Sequence, residues 1–515
     1  MKTSSVTRLV PHRVVHLVLA IGLSGLLLAL WLGLVAMVPA RADAGIRYVA
    51  SDGDDSKLCD SIADRCRTVQ RAIDVADPFD EIRVATGTYT DAAGTVAEIT
   101  KTVTLLGGWD GGFTTRDPAA YPTTLDAQRN GRVVYISGNI SPTIDGFTIT
   151  GGNATSEIIG TGQGGGIYSE DASPIIQNNV IINNTASISP TVGSGGGIYL
   201  YGASASALIS GNQVLSNTAY STSWGQGGGG LYLSYSDATV QRNLIQGNTC
   251  NRAGGGIYVG CCGAPRILDN EIRSNESDNN GGGIYSRFIG WPHIEGNWII
   301  NNVARWHGGG IISVNGDQPT VIANRIFSNT ADSGAGVLVE TSGYYTVTNN
   351  FIAHNGNGGG IKVWDTTRYG LVAHNTVAFN TGSEGGIYLA EGYITPTVVN
   401  NIIVSNTYGI RAHVNASGTL DYNDVWGNTT QDYDLPGALE PGLHDIQADP
   451  LFVHPAGDDY HLRAGSPCID AGTDAGVTTD IDGDPRPMGA RVDIGADEYH
   501  RYTIYLPIVT KGYAD

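Results

Sequence analysis

Lys362 is the only lysine between Lys101 and Lys511, and Arg411 occupies the equivalent position of a repeat two units further on. A lysine or arginine whose pKa is lowered by its surroundings can abstract a proton from a substrate. Carboxylates recur nearby. Counted from the apolar centre of each repeat, Glu340 falls at the third position and Asp365 and Glu391 at the fourth. If successive repeats stack as strands, at ~4.8 Å, these side chains form a row of like charges. Such a row either stays solvated and splayed or takes up a cation such as Ca2+. A spacing of about 5 Å is also that of the two carboxyl groups of a retaining glycosidase. Plain acidic surface is the alternative, and calcium could equally serve only to hold repeats together.

Two further sets have chemical potential. Asp480, Asp482 and Asp484 alternate in "DIDGDPRP", like the opening of a calcium loop. No glutamate closes the loop at the spacing of a helix-loop-helix site, so a turn rigidified by aspartate side chains is the other reading. Tyr232, Tyr258 and Tyr285 belong to a series with Tyr168, Tyr199 and Tyr388, each one residue after an apolar centre. Their faces could stack on sugar rings or on one another. His307, His354, His374 and His413 share no offset in the repeat and are assigned no role.

The elements that position these residues are legible in the periodicity. N-x-x-x-x-N occurs from Asn179/Asn184 through Asn297/Asn302 to Asn423/Asn428. Between successive pairs falls a Gly-Gly-Gly-Ile-Tyr phrase centred on Ile167, Ile198, Leu231, Ile257, Ile284, Ile311, Val337, Ile361, Ile387 and Ile410. Both series advance together, so each unit is one coil. Within a unit, apolar and polar residues alternate over short runs, as in "PHIEGNWIINN", which is strand periodicity. Glycine and asparagine are poor helix formers, which excludes a helical solenoid. The expected fold is all-β: a parallel β-helix of about 10–12 three-strand coils. Isoleucine points inward, tyrosine outward, and asparagine tolerates the left-handed bends and can hydrogen-bond along the stack.

"GGGIY" with "N-x-I-x-x-N" over residues 139–430 resembles the right-handed parallel β-helix proteins of the pectin-lyase-like superfamily. "IRYVASDGDD" with "CRTVQRAIDVADPFDEIRVATGTYTD" (Ile46 to Asp91) is similar to the N-terminal segment of its secreted members, in which a short helix covers the first coil. "TVQRAIDVA" would carry that helix within an N-terminal cap and first coils over residues 43–138. "DPLFVHPAGDDYHLRAGSPCIDAGTDAG" and "DIDGDPRPMGARVDIGADEYH" resemble the C-terminal choice-of-anchor module of bacterial surface and secreted proteins. The resemblance implies a small β-rich module over residues 431–499 and a tail over residues 500–515. The pectin-lyase-like superfamily includes lyases and glycosidases that work on acidic polysaccharides, and the glycosidase resemblance stops at the fold. The polygalacturonase patterns N-T-D, G-H-G and R-I-K are missing from the sequence.

Bulk properties narrow the partners. Arg8 and Arg13 precede an uncharged run from Leu17 to Val38, and Ala40-Arg41-Ala42 follows. This is the order of a secretory signal over residues 1–42, although the run is long enough for an uncleaved membrane anchor. Beyond it stand 25 Lys plus Arg against 49 Asp plus Glu. Nucleic acid is therefore a poor partner, and membrane contact is expected only through the N-terminal segment if uncleaved. Cys59 and Cys66 are expected to pair, Cys250 can bridge only one of Cys261 and Cys262, and a metal site adding Cys468 fits no common zinc spacing.

The expectation is a secreted or cell-surface β-helix, non-catalytic, for adhesion or for binding extracellular polysaccharide or surface matrix. No cofactor is expected beyond Ca2+. A calcium-assisted polysaccharide lyase or glycoside hydrolase, with Lys362, Asp365, Glu391 and Arg411 as its candidates, is the alternative. A purely structural surface spacer is a third.

Overall fold

Ile167, Ile198, Leu231, Ile257 and Ile284 are register partners on five successive parallel strands, and all are buried. The same column continues through Ile311, Val337, Ile361, Ile387 and Ile410. A computed structural model describes residues 44–91, 94–155, 162–187, 192–222, 225–340, 343–364, 370–392 and 395–500. The leader over residues 1–42, Asp365 and the tail after His500 lie outside the described residues. Among those described, no helix is long and apolar enough to cross a membrane.

The chain is a right-handed parallel β-helix. Its coils contribute one strand each to three long parallel sheets. Sheet one has 13 strands, from Ala97–Ile99 to Gln431–Asp434; sheet two has 14, from Ile46–Val49 to Thr419–Asp421; sheet three has 13, from Gly87–Tyr89 to Asp424–Trp426. A short fourth sheet of six two-residue strands, Thr218–Ala219 to Gly356–Asn357, lies where the chain returns from sheet three to sheet one. The ladder thus begins well before the repeat signature. One inward residue per short strand forms the narrow core, Ile181, Val214, Ile245, Ile272 and Ile299 being buried partners on sheet three.

Two asparagine columns flank sheet three. Asn302 Nδ2 donates to Ile272 O at 2.8 Å and to Asn329 Oδ1 at 3.0 Å, while its own Oδ1 accepts from Asn275 Nδ2 and N at 2.9 and 3.0 Å. Every ladder asparagine between Asn179 and Asn428 repeats this relay, as Asn179 to Asn212 and Asn406 to Asn428 show at 3.1 Å each. The left-handed residue is not the ladder asparagine itself, as the sequence suggested, but the residue before it. That residue is asparagine at Asn178 (φ 54°), yet alanine at Ala323 (φ 53°) and phenylalanine at Phe379 (φ 58°). A left-handed alanine or phenylalanine costs roughly 1–2 kcal/mol; the four or so hydrogen bonds of each buried amide offset it.

The glycine triplet has three separate reasons. At Gly281 (φ 66°) a Cβ would lie 2.5 Å from Tyr285 Cβ, at Gly282 2.6 Å from the Val303 carbonyl carbon, and at Gly283 2.6 Å from Gly310 O. The ends are closed. Helix Val69–Val75, capped by the Thr68 hydroxyl on Arg71 N, buries Val69, Ala72 and Ile73 over the first coils. The solenoid runs slightly past the expected boundary, since Gln431–Asp434 is its last sheet-one strand and Asp424 bridges Ile446.

The C-terminal segment then turns back along the outer face of sheet three. Its hairpin, Phe452–His454 with Asp459–Leu462, packs Phe452, Tyr460 and Leu462 with Ile481 and Ile494 against Phe327, Phe351, Ala378 and Ile402 of the coils. Polar stitches run alongside: Asn349 Nδ2 donates to Thr479 O and Asn400 Nδ2 to Thr473 O, each at 2.6 Å. Arg486, wholly buried, pairs with Glu498 at 2.7 Å and reaches Asn349 Oδ1 at 3.3 Å.

Candidate functional site

The outward face of sheet one carries the residue after each isoleucine, and it changes character along the stack. Tyr135, Tyr168, Tyr199, Tyr232, Tyr258 and Tyr285 are consecutive partners, with ring centroids 4.9–5.6 Å apart. Ile312, Leu338, Lys362, Tyr388 and Arg411 continue the column. The sheet turns Tyr232, Tyr258 and Tyr285 away from the solenoid core, as expected, yet they are only 5%, 0% and 5% exposed. The glycine-rich run entering each strand folds back over them, close enough that a Cβ on Gly227 would meet Tyr258 Cδ2 at 3.0 Å. Their faces are occupied by one another, so as sugar-stacking residues the three are corrected. Burial pushes the Tyr232 and Tyr285 hydroxyls up to about 12.

At Lys362 the buried column, aromatic as far as Tyr285 and aliphatic at Ile312 and Leu338, gives way to charge. Lys362 Nζ donates to Glu384 Oε1 at 2.6 Å and to Ser333 Oγ at 2.8 Å. Glu384 also accepts from Ser333 Oγ at 2.9 Å and from Gly334 N at 2.8 Å. Lys362 and Glu384 are each 8% exposed, which leaves neither side chain open to bulk solvent. The ammonium also sits 4.7 Å from the Trp364 ring and 5.4 Å from Tyr388. His307, assigned no role from sequence, bridges to Ser333 in the same turn stack and meets Trp364 edge-on at 5.8 Å. Desolvation first, then the charge of Lys362, lowers its pKa.

Arg411 continues the face two coils on. Its Nε donates to Asp434 Oδ2 at 2.9 Å and its Nη1 to Ser383 O at 2.5 Å, with the guanidinium between Tyr388 (5.6 Å) and Tyr408 (4.9 Å). The face therefore offers half-buried rings, Trp364, Tyr388 and Tyr408, beside two internally neutralised cations.

The expected carboxylate row is not assembled at Glu340. Glu340 is the strand partner of Trp364, whereas Glu391 is exposed beyond the end of strand Ile387–Leu389. A one-residue offset in a short strand sends a side chain to the other face, and this offset separates the two positions. Asp365 lies outside the described residues. Missing from the sequence reading were Glu384, Ser333 and Trp364. Glu384 had a signal: it replaces the first glycine of the triplet, in "SEGGIY".

The Asp480 turn is corrected as a calcium loop. Asp480 Oδ1 accepts from the Asp482 and Asp484 amides at 2.9 and 2.8 Å and its Oδ2 from Glu498 N at 3.1 Å. Asp482 pairs with Arg325 at 3.0 Å and Asp484 with His500 at 2.5 Å. The three carboxylates have separate partners and do not converge, which is the rigidified-turn geometry. Cys59 and Cys66 are bridged, with Cα atoms 5.1 Å apart. Cys261 and Cys262 pair with each other, contrary to a Cys250 bridge. Cys250 is a buried thiol on the fourth sheet among Ala186 and Ala219, and Cys468 Sγ meets Asp424 Oδ2 at 3.2 Å, so no four-cysteine site forms.

The coil geometry and its sequence period define the class, and the chain belongs to the family described as the right handed beta helix region, matched over residues 126–326 and 283–433. No curated protein matches the sequence. Among solved structures, the chain is similar to pectate lyase Pel9A at 16% identity, with 90% of this chain and 98% of that chain covered and a TM-score of 0.41. It is also similar to XylC in complex with xylose, at 11% identity, 74% and 76% coverage and a TM-score of 0.33. Likenesses this distant carry no argument about activity.

Proposed function

We propose that the protein is exported and displayed outside the cytoplasm as a non-catalytic β-helix. It holds extracellular polysaccharide or surface matrix against the outer face of sheet one at Trp364, Tyr388, Tyr408 and Arg411. The observation that carries this reading is the change of that face at Lys362, where a covered column of tyrosines and then Ile312 and Leu338 is followed by half-buried rings in successive coils beside hydrogen-bonding charges. Half-buried rings beside hydrogen-bonding charges suit sugar, which presents apolar C–H faces and hydroxyls. The leader composition supports export, and the likeness of residues 448–499 to choice-of-anchor modules supports surface display.

The commitment of Lys362 to Glu384 and Ser333 favours binding over proton abstraction. The calcium-assisted lyase or glycoside hydrolase remains the second reading because Lys362, His307 and Trp364 cluster where the repeat is interrupted. Affinity electrophoresis through gels containing polygalacturonate, alginate or xylan tests both. Retardation by at least one polymer that is lost in Trp364→Ala/Tyr388→Ala is the expected result. Retardation by none would leave a structural spacer. Product absorbing at 235 nm on polygalacturonate or alginate, abolished in Lys362→Ala, would replace binding with lyase activity.

A further inference from the structure

We propose that His461, Asp482 and Asp497 form a site for one first-row divalent metal ion, of the Zn2+ class, at the wall of a cavity in the C-terminal segment. The ligand atoms come from three separate stretches: the hairpin strand Asp459–Leu462, the aspartate turn and the run before Tyr499. One atom of each lies within 4.8 Å of the others. The three residues line a cavity of about 740 Å³, large enough to leave open coordination positions to water or a ligand.

The surroundings of each ligand are those of a metal site. A ligating histidine characteristically gives its second ring nitrogen to a carboxylate, which fixes the ring. His461 Nδ1 meets Asp459 Oδ1 at 2.5 Å, which turns Nε2 toward Asp482. Asp482 spends Oδ1 on Arg325 at 3.0 Å and keeps Oδ2 beside His461 Nε2 at 2.7 Å. Asp497 is 6% exposed and spends only Oδ2, on Leu462 N at 2.7 Å. Its Oδ1 has no hydrogen-bond partner among the described residues, and the residue lines the cavity. The second carboxylate oxygen of Asp497 therefore faces the cavity with no protein partner among the described residues, in reach of the imidazole nitrogen and the Asp482 carboxylate, a position that a cation would complete.

Donor chemistry selects the ion. One nitrogen with two carboxylate oxygens suits Zn2+, Mn2+ or Co2+, whereas Ca2+ takes six to eight oxygens. The ion would replace the proton bridging Nε2 and Oδ2, and would join three stretches of the segment that Arg325 ties to the coils.

The test is isothermal titration of the EDTA-stripped full-length chain with ZnCl2, with bound zinc counted by mass spectrometry. One tightly held ion per chain is expected, lost in His461→Ala and in Asp497→Asn. The asparagine keeps an oxygen for the Leu462 amide and so preserves the local fold. Asp459→Asn, a positioning change, should weaken binding about 10–100-fold. His444→Ala, at a separate exposed histidine–aspartate pair, should leave binding unchanged. No saturable binding, or equal binding in His461→Ala, overturns the site. Equal uptake of CaCl2 that survives His461→Ala would mark diffuse acidic surface and overturns it also.

Discussion

Lys362 and Glu384 meet at 2.6 Å with both side chains almost fully enclosed, 10% and 11% exposed. Removing one partner strands the other charge, which costs about 3–5 kcal/mol in buried pairs. Glu384→Ala should therefore lower the urea midpoint markedly, while Lys362→Met/Glu384→Leu should lower it less than either single change. A double variant as unstable as the sum of the singles would show that the pair is not coupled.

The tyrosine column makes a prediction of opposite sign. Tyr258 Oη is buried with no hydrogen-bond partner among the described residues. Tyr258→Phe should be neutral or stabilising by about 1 kcal/mol, because it removes an unsatisfied hydroxyl, and Tyr258→Ala should cost about 3–5 kcal/mol. Neither should alter retardation in polysaccharide gels, since the ring is covered. Thermal unfolding midpoints of the two variants check the first statement, and gel mobility checks the second.

Within the asparagine columns, position decides tolerance. Asn302→Asp removes both side-chain donors and sets an oxygen against Asn329 Oδ1, so a loss of about 3 kcal/mol or more is expected. Asp432→Asn keeps the oxygen that accepts from Asn428 and should cost under about 1 kcal/mol. Comparable losses in the two urea curves would refute the relay.

Stability should fall from pH 5 to pH 8, in part through Asp424. Burial, set against its hydrogen bond from Ala448 N, pushes this carboxyl up to about 7, against ~3.9 unfolded. The folded state holds the proton more tightly, so the contribution is fully present below about pH 4 and is lost as pH rises through 7. Asp493, raised to about 7 by burial, acts in the same direction. Asp424→Asn should lose less stability than the parent over this interval, by the order of 2 kcal/mol. Urea titrations at the two pH values decide it; identical slopes for parent and variant would remove Asp424 from the account.

What repeats was readable and what is placed by distant chain was not. The isoleucine column, the asparagine ladders and the cap helix follow from local period and propensity, which act the same way in every coil. The covering of Tyr232, Tyr258 and Tyr285 depends on the path of the glycine-rich run, which has no side chains to announce it. Glu384 was visible only as an irregularity in a glycine triplet. Arg325 and Asp482, 157 residues apart, meet because the C-terminal segment reverses along sheet three, and no spacing in the sequence records that. The offset between Glu340 and Asp365 was written in the sequence, but its consequence is set by strand register.

Asp432 and Asp445 make the stack of coils a finite crystal. In each amide column every Nδ2 hands a hydrogen to the next Oδ1, always in the same direction along the axis, and the last donors, Asn428 and Asn423, end on Asp432 Oδ1 and Asp445 Oδ1. A carboxylate accepts the final hydrogen and has none to pass on. Neither side chain has a hydrogen to donate beyond the last coil, so the one-way relay that links every coil to the next stops inside the molecule.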